Sequence, residues 1–413
     1  MSDETSSATE ARDSAVKGLY ERFPYPQEIG DLGDFLAGKK EPVWTPKSSF
    51  AAFFPEEAPR AELDILVAGC GTNMAPIMAA TMPRARVVGI DISAASLAIS
   101  RKSAEGAGLT NLELFELPLE EIGSLDRTFD YVHCEGVLHH LADPAAGLAA
   151  LGSVTRPAGA LSIMVYGRYG RLGIYMLQDL CRQLGMGVNL PDTEKAQRLL
   201  AALPARHPFR LIHPVNGPLI TLEEVADMLL NPRDVSYDVA DVRALVEAGG
   251  MRLHRWLGNA EYRPEFSALA PAGLAPNVAD MDAWTAAGMA ELCHGSLLMH
   301  KFVVTHPSRA TAEELFSGLA LADAVPSLAA NLQIQDEGQA VALTNGAHQV
   351  PIRIRAAKEE LVPALKAVDG KRSLRELVAE LGGGEWNLAV YRQLYLADVI
   401  QLSSIRAGGD FSI

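Results

Sequence analysis

Leu63-Asp-Ile-Leu-Val-Ala-Gly-Cys-Gly-Thr-Asn73, followed after an apolar interval by Arg86-Val-Val-Gly-Ile-Asp91, decides the fold. Residues 64–68 are an apolar run of strand length ending on the turn Gly69-Cys70-Gly71. Residues 86–90 are a second such run, ending on one acidic residue 20 positions after Gly71. A strand, a tight glycine turn, a helix and a second strand with a terminal carboxylate form a nucleoside-binding βαβ unit. The glycines let the backbone approach a ligand, and the carboxylate accepts hydrogen bonds from a ribose. The third glycine of a dinucleotide loop is missing: Met74 stands in its place. No lysine follows, which excludes a P-loop. A ligand without a pyrophosphate tolerates this loop better, and a nicotinamide dehydrogenase fits poorly.

Outward from this unit, apolar runs at 112–116, 131–134 and 160–166 predict three more strands. Helices are predicted at 74–81, 93–107, 119–123 and 144–153, with Ser93 as an N-cap. Strand–helix alternation with apolar strands predicts a parallel sheet covered on both faces. Two late strands, 251–257 and 296–305, complete the sheet. The expected fold is therefore α/β: a Rossmann-like, seven-stranded, mostly parallel sheet with a helical insertion over about 171–248. Within that insertion, helices are expected at 171–185, 192–203, 222–230 and 239–248, with a loop at 204–218. Residues 1–55 read as an N-terminal arm or lid. Residues 1–15 are expected to be disordered, and Tyr20-Glu-Arg-Phe-Pro-Tyr-Pro26 to be an extended aromatic arm. Residues 56–306 form the main domain. Residues 310–413 form a small α+β accessory domain, with a helix at 312–321, a hairpin around Asn345-Gly346 and three further helices. This last segment resembles small winged-helix-like modules; a packing or dimerisation unit is the alternative.

The bulk numbers bound the function. A hydrophobic content of 48% with 21% charged residues is ordinary for a globular chain, and a formal charge of −15 argues against a nucleic-acid grip. Cys70, Cys134, Cys181 and Cys293 are scattered without a CxxC pair, so neither a disulfide framework nor a zinc site is expected, and a reducing cytoplasm fits. Neither a signal peptide nor an apolar span of membrane length is expected.

Five segments appear in order: Asp64-Ile-Leu-Val-Ala-Gly-Cys-Gly-Thr-Asn73, Gly89-Ile-Asp-Ile-Ser93, Phe129-Asp-Tyr-Val132, Gly136-Val-Leu-His-His-Leu-Ala-Asp-Pro144 and Arg156-Pro-Ala-Gly-Ala-Leu161. Together, over about residues 60–166, they resemble the class I S-adenosylmethionine (SAM)-dependent methyltransferases. The aromatic-proline arm and Asn231-Pro-Arg-Asp-Val-Ser-Tyr237 resemble a bacterial subgroup of these enzymes. The resemblance implies SAM as cofactor, held by Ala68, Gly69, Cys70, Gly71, Asn73, Asp91, Ile92, Leu117, Glu135 and Gly136. Asp91 would accept from both ribose hydroxyls, Ile92 would lie on adenine, and Glu135 with Gly136 would face the sulfonium and its amino-acid tail. Two positions depart from the pattern. Val67 replaces an acidic residue at the end of the first strand, and Leu117 one after the third, so Leu117 would serve adenine through its backbone.

Methyl transfer to a protonated nucleophile needs a base, for which His139, His140 and Tyr166 are the candidates. Cys70 sits where a small side chain is needed and is not read as a nucleophile. His139 and His140 with Asp143 do not make a ligand set, because neighbouring histidines on a helix diverge; no metal is expected. Tyr20, Tyr25, Arg168, Tyr169 and Tyr237 are candidate substrate contacts, joined by Arg171, Arg233 and Asp234. The leading expectation is methyl transfer to oxygen or nitrogen of a small molecule. The alternatives are a protein acceptor recognised through the C-terminal domain, and a SAM-binding regulator without turnover. The acceptor partner is unknown, nucleic acid and membrane are not expected as partners, and oligomerisation is left open.

Overall fold

The computed structural model describes residues 2–215, 217–277, 281–317, 320–382 and 385–405. Its centre is a seven-stranded sheet in the order β3-β2-β1-β4-β5-β7-β6. The strands are β1 (Asp64–Ala68), β2 (Arg86–Asp91), β3 (Leu112–Glu116), β4 (Phe129–Glu135), β5 (Thr155–Tyr166), β6 (Arg252–Trp256) and β7 (Met299–Thr305). The first five run parallel, whereas β7 is antiparallel to both β5 and β6. Successive residues of β1 serve opposite faces, as the two-residue period of a strand requires. Leu66 and Ala68 enter one core with Val132, Leu148 and Val242. Ile65 and Val67 enter the other with Phe53, Met78 and Val87. β1 lies between β2 and β4, so the order in which strands are added reverses there. A crevice therefore opens beyond the carboxyl ends of these strands.

Six helices precede the insertion: α1 (Ser2–Arg22), α2 (Gly33–Leu36), α3 (Pro46–Phe53), α4 (Met74–Thr81), α5 (Ala94–Gly106) and α6 (Pro144–Ser153). The first corrects two expectations. Residues 2–22 are helical rather than disordered or extended, because burial of Val16 and Leu19 on the domain gives this polar segment an apolar face to fold against. The proline argument holds only from Phe23 onward, where the helix stops.

The insertion contains α7 (Leu172–Gln183), α8 (Leu190–Ala202), the short α9 (Phe209–Ile212) inside the expected loop, and α10 (Leu222–Leu230). These share their own small core around Leu177, Leu200, Phe209 and Val225. α11 (Val239–Ala248) instead packs its Val242 and Leu245 into the main core beside α6, and α12 (Ala283–His294) follows it.

The C-terminal unit comprises α13 (Ala312–Leu315), α14 (Ala320–Asp323), β8 (Val325–Leu328), β9 (Leu332–Asp336), β10 (Ala340–Asn345), β11 (Ile354–Ala357), α15 (Lys358–Ala367), α16 (Leu374–Glu380), α17 (Glu385–Leu396) and β12 (Ile400–Ser403). The helix expected over 312–321 is two short ones, with residues 318–319 outside the described residues. The run expected as one strand over 332–343 is itself a β9–β10 hairpin turning at 337–339, where Gly338 has φ +82°, and the connection that begins at Asn345-Gly346 joins β10 to β11, which pair antiparallel as expected. Asn345 is buried, donating its side-chain amide to the Asp398 carbonyl at 2.8 Å.

Candidate active site

The crevice holds a cavity of about 310 Å³, lined by the glycine turn, the ends of β2 and β4, and the arm. Gly69 and Gly71 have φ of +64° and +54°, a region open to glycine at little cost. A Cβ on Gly71 would stand 2.5 Å from the Tyr25 carbonyl oxygen, and one on Gly69 would run into Val137. Asp91 closes the turn from below: its Oδ2 accepts from Gly71 N at 2.8 Å and its Oδ1 from Ser93 N at 2.9 Å. Burial holds this carboxyl above its ordinary range, although the amides of Ser93, Gly71 and Ile92 oppose that shift. Ser93 separately caps α5 by accepting from Ser96 N at 3.1 Å.

Ile92, Leu117, Leu119 and Met74 give the cavity an apolar wall, and the Leu117 amide donates to the Asp91 carbonyl at 3.0 Å. At the other end, Glu135 accepts from Lys301 Nζ at 2.8 Å and Ser162 Oγ at 3.3 Å. Burial pushes its carboxyl up, but Lys301, with His133, more than offsets that and holds it below the usual range. The residues fit SAM: an acceptor carboxylate for a diol, an apolar wall for a base, and a second carboxylate where a cationic tail would lie.

The arm lies directly on this site. Asn73 donates to the Gln27 carbonyl at 2.7 Å and accepts from Ile29 N at 3.1 Å, and Thr72 donates to the Pro26 carbonyl. Glu21 accepts from Ala94 N at 2.6 Å, and Ser93 Oγ donates to the Tyr20 carbonyl at 3.1 Å. Val16, Tyr20 and Tyr25 line the cavity roof. Tyr20 donates to Asp227 Oδ1 at 2.8 Å and accepts from Asn231 Nδ2 at 3.2 Å, which ties α1 to α10. Tyr166 donates to the other Asp227 oxygen at 3.4 Å, and the Arg171 guanidinium lies 3.5 Å from the centre of the Tyr166 ring. Burial and the Asp227 charge push the Tyr20 and Tyr166 phenols well up, so both stay protonated and neither is a base.

Of the residues singled out from sequence, Gly69, Cys70, Gly71, Asp91, Ile92, Leu117, Glu135, Gly136, Tyr20, Tyr25, His140 and Tyr166 line one cavity. Nine others lie apart from its wall, among them Arg171, Arg233 and Asp234, which sit behind Tyr166 and His140. Ala68 packs into the core, and Asn73 is occupied by the arm. His139 is fully buried behind His140. Arg168 pairs with Asp238 and Asp241 at the start of α11. Tyr169 is 37% exposed on the surface, and Tyr237 sits in the main core. Burial pushes the Cys70 thiol well up, against any nucleophilic role. The residue that sequence reasoning missed is Asp227. Its signal was a lone carboxylate within Val225-Ala-Asp-Met-Leu-Leu230, on the face of α10 that buries Val225, Ala226, Leu229 and Leu230.

Comparison with known proteins agrees with this geometry. Residues 66–161 match a family model described as a methyltransferase domain. The uncharacterized protein syc1184_c of a Synechococcus strain is 30% identical over 260 residues, covering 61% of either chain; the match thus spans less than two thirds of that relative. A ubiquinone biosynthesis O-methyltransferase of Acinetobacter baumannii is 28% identical over 182 residues, 43% of this chain and 71% of that one. The structure of PKMT2 from Rickettsia typhi superposes over 93% of this chain and 78% of its own with a TM-score of 0.62, and of 0.61 in complex with AdoHcy, at 14% and 13% identity. The fold is that of the class I SAM-dependent methyltransferases, and residues 66–161, which carry the glycine turn and Asp91, are the part that matches a methyltransferase-domain model. Among the described residues, no helix is long and apolar enough to cross a membrane.

Proposed function

We propose that the protein is a SAM-dependent methyltransferase that alkylates an oxygen of a small hydroxylated molecule. The observation that carries the reading is the half-buried Asp91 carboxylate, bonded to the Gly71 amide at the wall of the cavity. Bound SAM supplies a methyl group already activated by a sulfonium. The chain's residues hold and align it: Asp91 takes the ribose hydroxyls, Ile92 and Leu117 flank the adenine, and Glu135 meets the cationic tail. Alignment of this kind supplies several kcal/mol of rate enhancement. In this reading residues 1–55 are the lid, and 56–306 the methyltransferase domain. The insertion over about 171–248 shapes the acceptor end around Tyr20, Tyr166, Asp227 and His140, and residues 310–413 are an accessory domain. The scattered thiols fit a cytoplasmic setting.

Oxygen is favoured over nitrogen by the likeness to the O-methyltransferase above. A small acceptor is favoured by the roof, since α1 and the aromatic arm cover part of the cavity and leave about 310 Å³ beneath them. A protein acceptor is the second reading, because the fold match with PKMT2 runs on into the C-terminal domain. Calorimetry with SAM and S-adenosylhomocysteine, then mass-spectrometric detection of S-adenosylhomocysteine released with phenols, amines or unfolded protein, separates these outcomes. Release with hydroxylated small molecules is expected. Absence of SAM binding would overturn the proposal, and release only with protein would replace it by the second reading.

A further inference from the structure

Behind the acceptor end lies a buried polar cluster that the cofactor does not use. Leu138–His140 is a single 3-10 turn, and it brings the rings of His139 and His140 to one side, 4.1 Å apart. This corrects the expectation that the two side chains diverge. The carboxylate beside them is also not Asp143, which caps α6 by accepting from Ala146 N at 2.9 Å, but Asp234. His140 Nδ1 lies 2.6 Å from the Arg233 carbonyl, an acceptor only. Nδ1 therefore carries the proton and Nε2 a lone pair. Gln178 donates to Asp234 Oδ2 at 2.8 Å. Among the described residues nothing hydrogen-bonds His140 Nε2, Asp234 Oδ1 or either ring nitrogen of His139. These groups are closed off from solvent: His139 is 0% exposed, His140 5%, and the Asp234 side chain 1%. Donor atoms of the three residues all lie within 4.8 Å of one another. A buried polar atom without a partner costs about 1–3 kcal/mol, so several converging on one point call for a shared ligand.

We propose that His139, His140 and Asp234 bind a divalent transition-metal ion, which takes the ionised hydroxyl of the methyl acceptor. Two imidazoles and one carboxylate suit zinc, iron(II) or manganese rather than calcium or magnesium, and three protein ligands leave positions for substrate. The Arg233 carbonyl and Gln178 supply the outer contacts that orient such ligands. Charge favours the same occupant. Asp227, Asp234 and Arg171 together leave one negative charge. A divalent cation makes that one positive charge, and an acceptor oxyanion brings it to neutrality. His140 lines the cavity with Tyr166 and Asp227, so the open positions lie on the substrate side. On binding, the acceptor O–H breaks, its proton passes to water and oxygen keeps the pair. That pair forms the new C–O bond as the C–S bond breaks toward sulfur.

Only the acceptor clause rests on the methyltransferase reading, so the first test uses the metal alone. Metal-free full-length protein titrated with cobalt(II) should develop a visible ligand-field band at one equivalent, and zinc chloride should bind in calorimetry with matching stoichiometry. His139→Phe, which keeps a ring against Tyr166, and Asp234→Asn should each weaken zinc by more than the about 10–100-fold that loss of an outer contact costs. S-adenosylhomocysteine affinity should hold in both, since neither residue lines the cofactor cavity. Zinc binding that is absent, or unchanged in folded variants, overturns the site. Zinc binding as expected without methyl transfer to any hydroxylated acceptor keeps the site and sinks the functional reading instead.

Discussion

Asp91 does two things at once. It fixes the glycine turn through Gly71 N and the start of α5 through Ser93 N, and it offers its remaining lone pairs to the cavity. Asparagine in its place keeps the volume but has one acceptor oxygen, and an amide that faces donors. Hydrogen bonds to a charged group are worth about 1.5–3 kcal/mol, so Asp91→Asn should weaken S-adenosylhomocysteine about 10–100-fold by calorimetry, with the circular dichroism of the fold unchanged. Unchanged affinity would remove Asp91 from the ribose. The pH dependence follows from the same carboxyl. Burial raises its folded pKa, and only the ionised form accepts from both hydroxyls of a diol. Affinity should therefore decline as pH falls, starting above the ordinary carboxylate range, and the asparagine variant should lack that decline.

The lid is an element whose fastening can be weighed. Asn73 holds the arm by two hydrogen bonds, worth about 0.5–1.5 kcal/mol each, and the arm in turn covers the glycine turn. Asn73→Ala should therefore speed S-adenosylhomocysteine release by about tenfold in stopped-flow displacement, with association little changed, because the contact is made to the lid and not to the ligand. An unchanged off-rate would mean that the arm does not gate the site. The same residue shows what sequence could and could not yield. Helices 74–81 and 144–153 and strands 64–68 and 112–116 were legible to the residue, because the apolar period and the N-caps were local and agreed with the tertiary environment. Asp91 and Glu135 were legible as strand-end carboxylates. Asn73, expected among the cofactor residues, has its side chain bonded to partners 46 and 44 residues away, in an arm whose course no local pattern encodes. Asp227 was missed for the same reason: its partners, Tyr20 and Tyr166, are 207 and 61 residues distant. α1 was misread because its fold depends on the surface it covers.

At the scale of the whole molecule, the C-terminal unit is clasped to the sheet by a buried ionisable group of four. Asp398 accepts from Arg255 at 2.8 Å and from Ala260 N at 3.2 Å, and pairs with His348 at 3.1 Å. Glu261, 1% exposed, accepts from Gln349 N at 2.5 Å and Val350 N at 2.8 Å. Arg255, Ala260 and Glu261 come from the β6 side, the others from beyond residue 340. Cutting the chain near 310 would take the Asp398 carboxylate from Arg255 and both amide donors from Glu261, so truncation is a poor probe of what the accessory domain recognises. A titration is cleaner. Burial lifts the Glu261 carboxyl to about 7, although the two amides and His348 oppose it. Burial lowers His348, but its bond to Asp398 and the carboxylate charges win and raise it. Both folded pKa values exceed their unfolded ones. The stability each group contributes is thus full below its unfolded pKa, 4.5 for Glu261 and 6.5 for His348, and is lost as pH rises through the folded value. The Glu261 share is about 3 kcal/mol between pH 4.5 and 7. Glutamine copies the protonated acid and still accepts from both amides. Urea unfolding of wild type and Glu261→Gln at pH 5.5 and 8.5 should show the variant gaining on wild type by about 1–3 kcal/mol as pH rises, most of it in the transition that releases the C-terminal unit. A difference that stays constant with pH would mean that Glu261 is ionised throughout and that the clasp is held by charge alone.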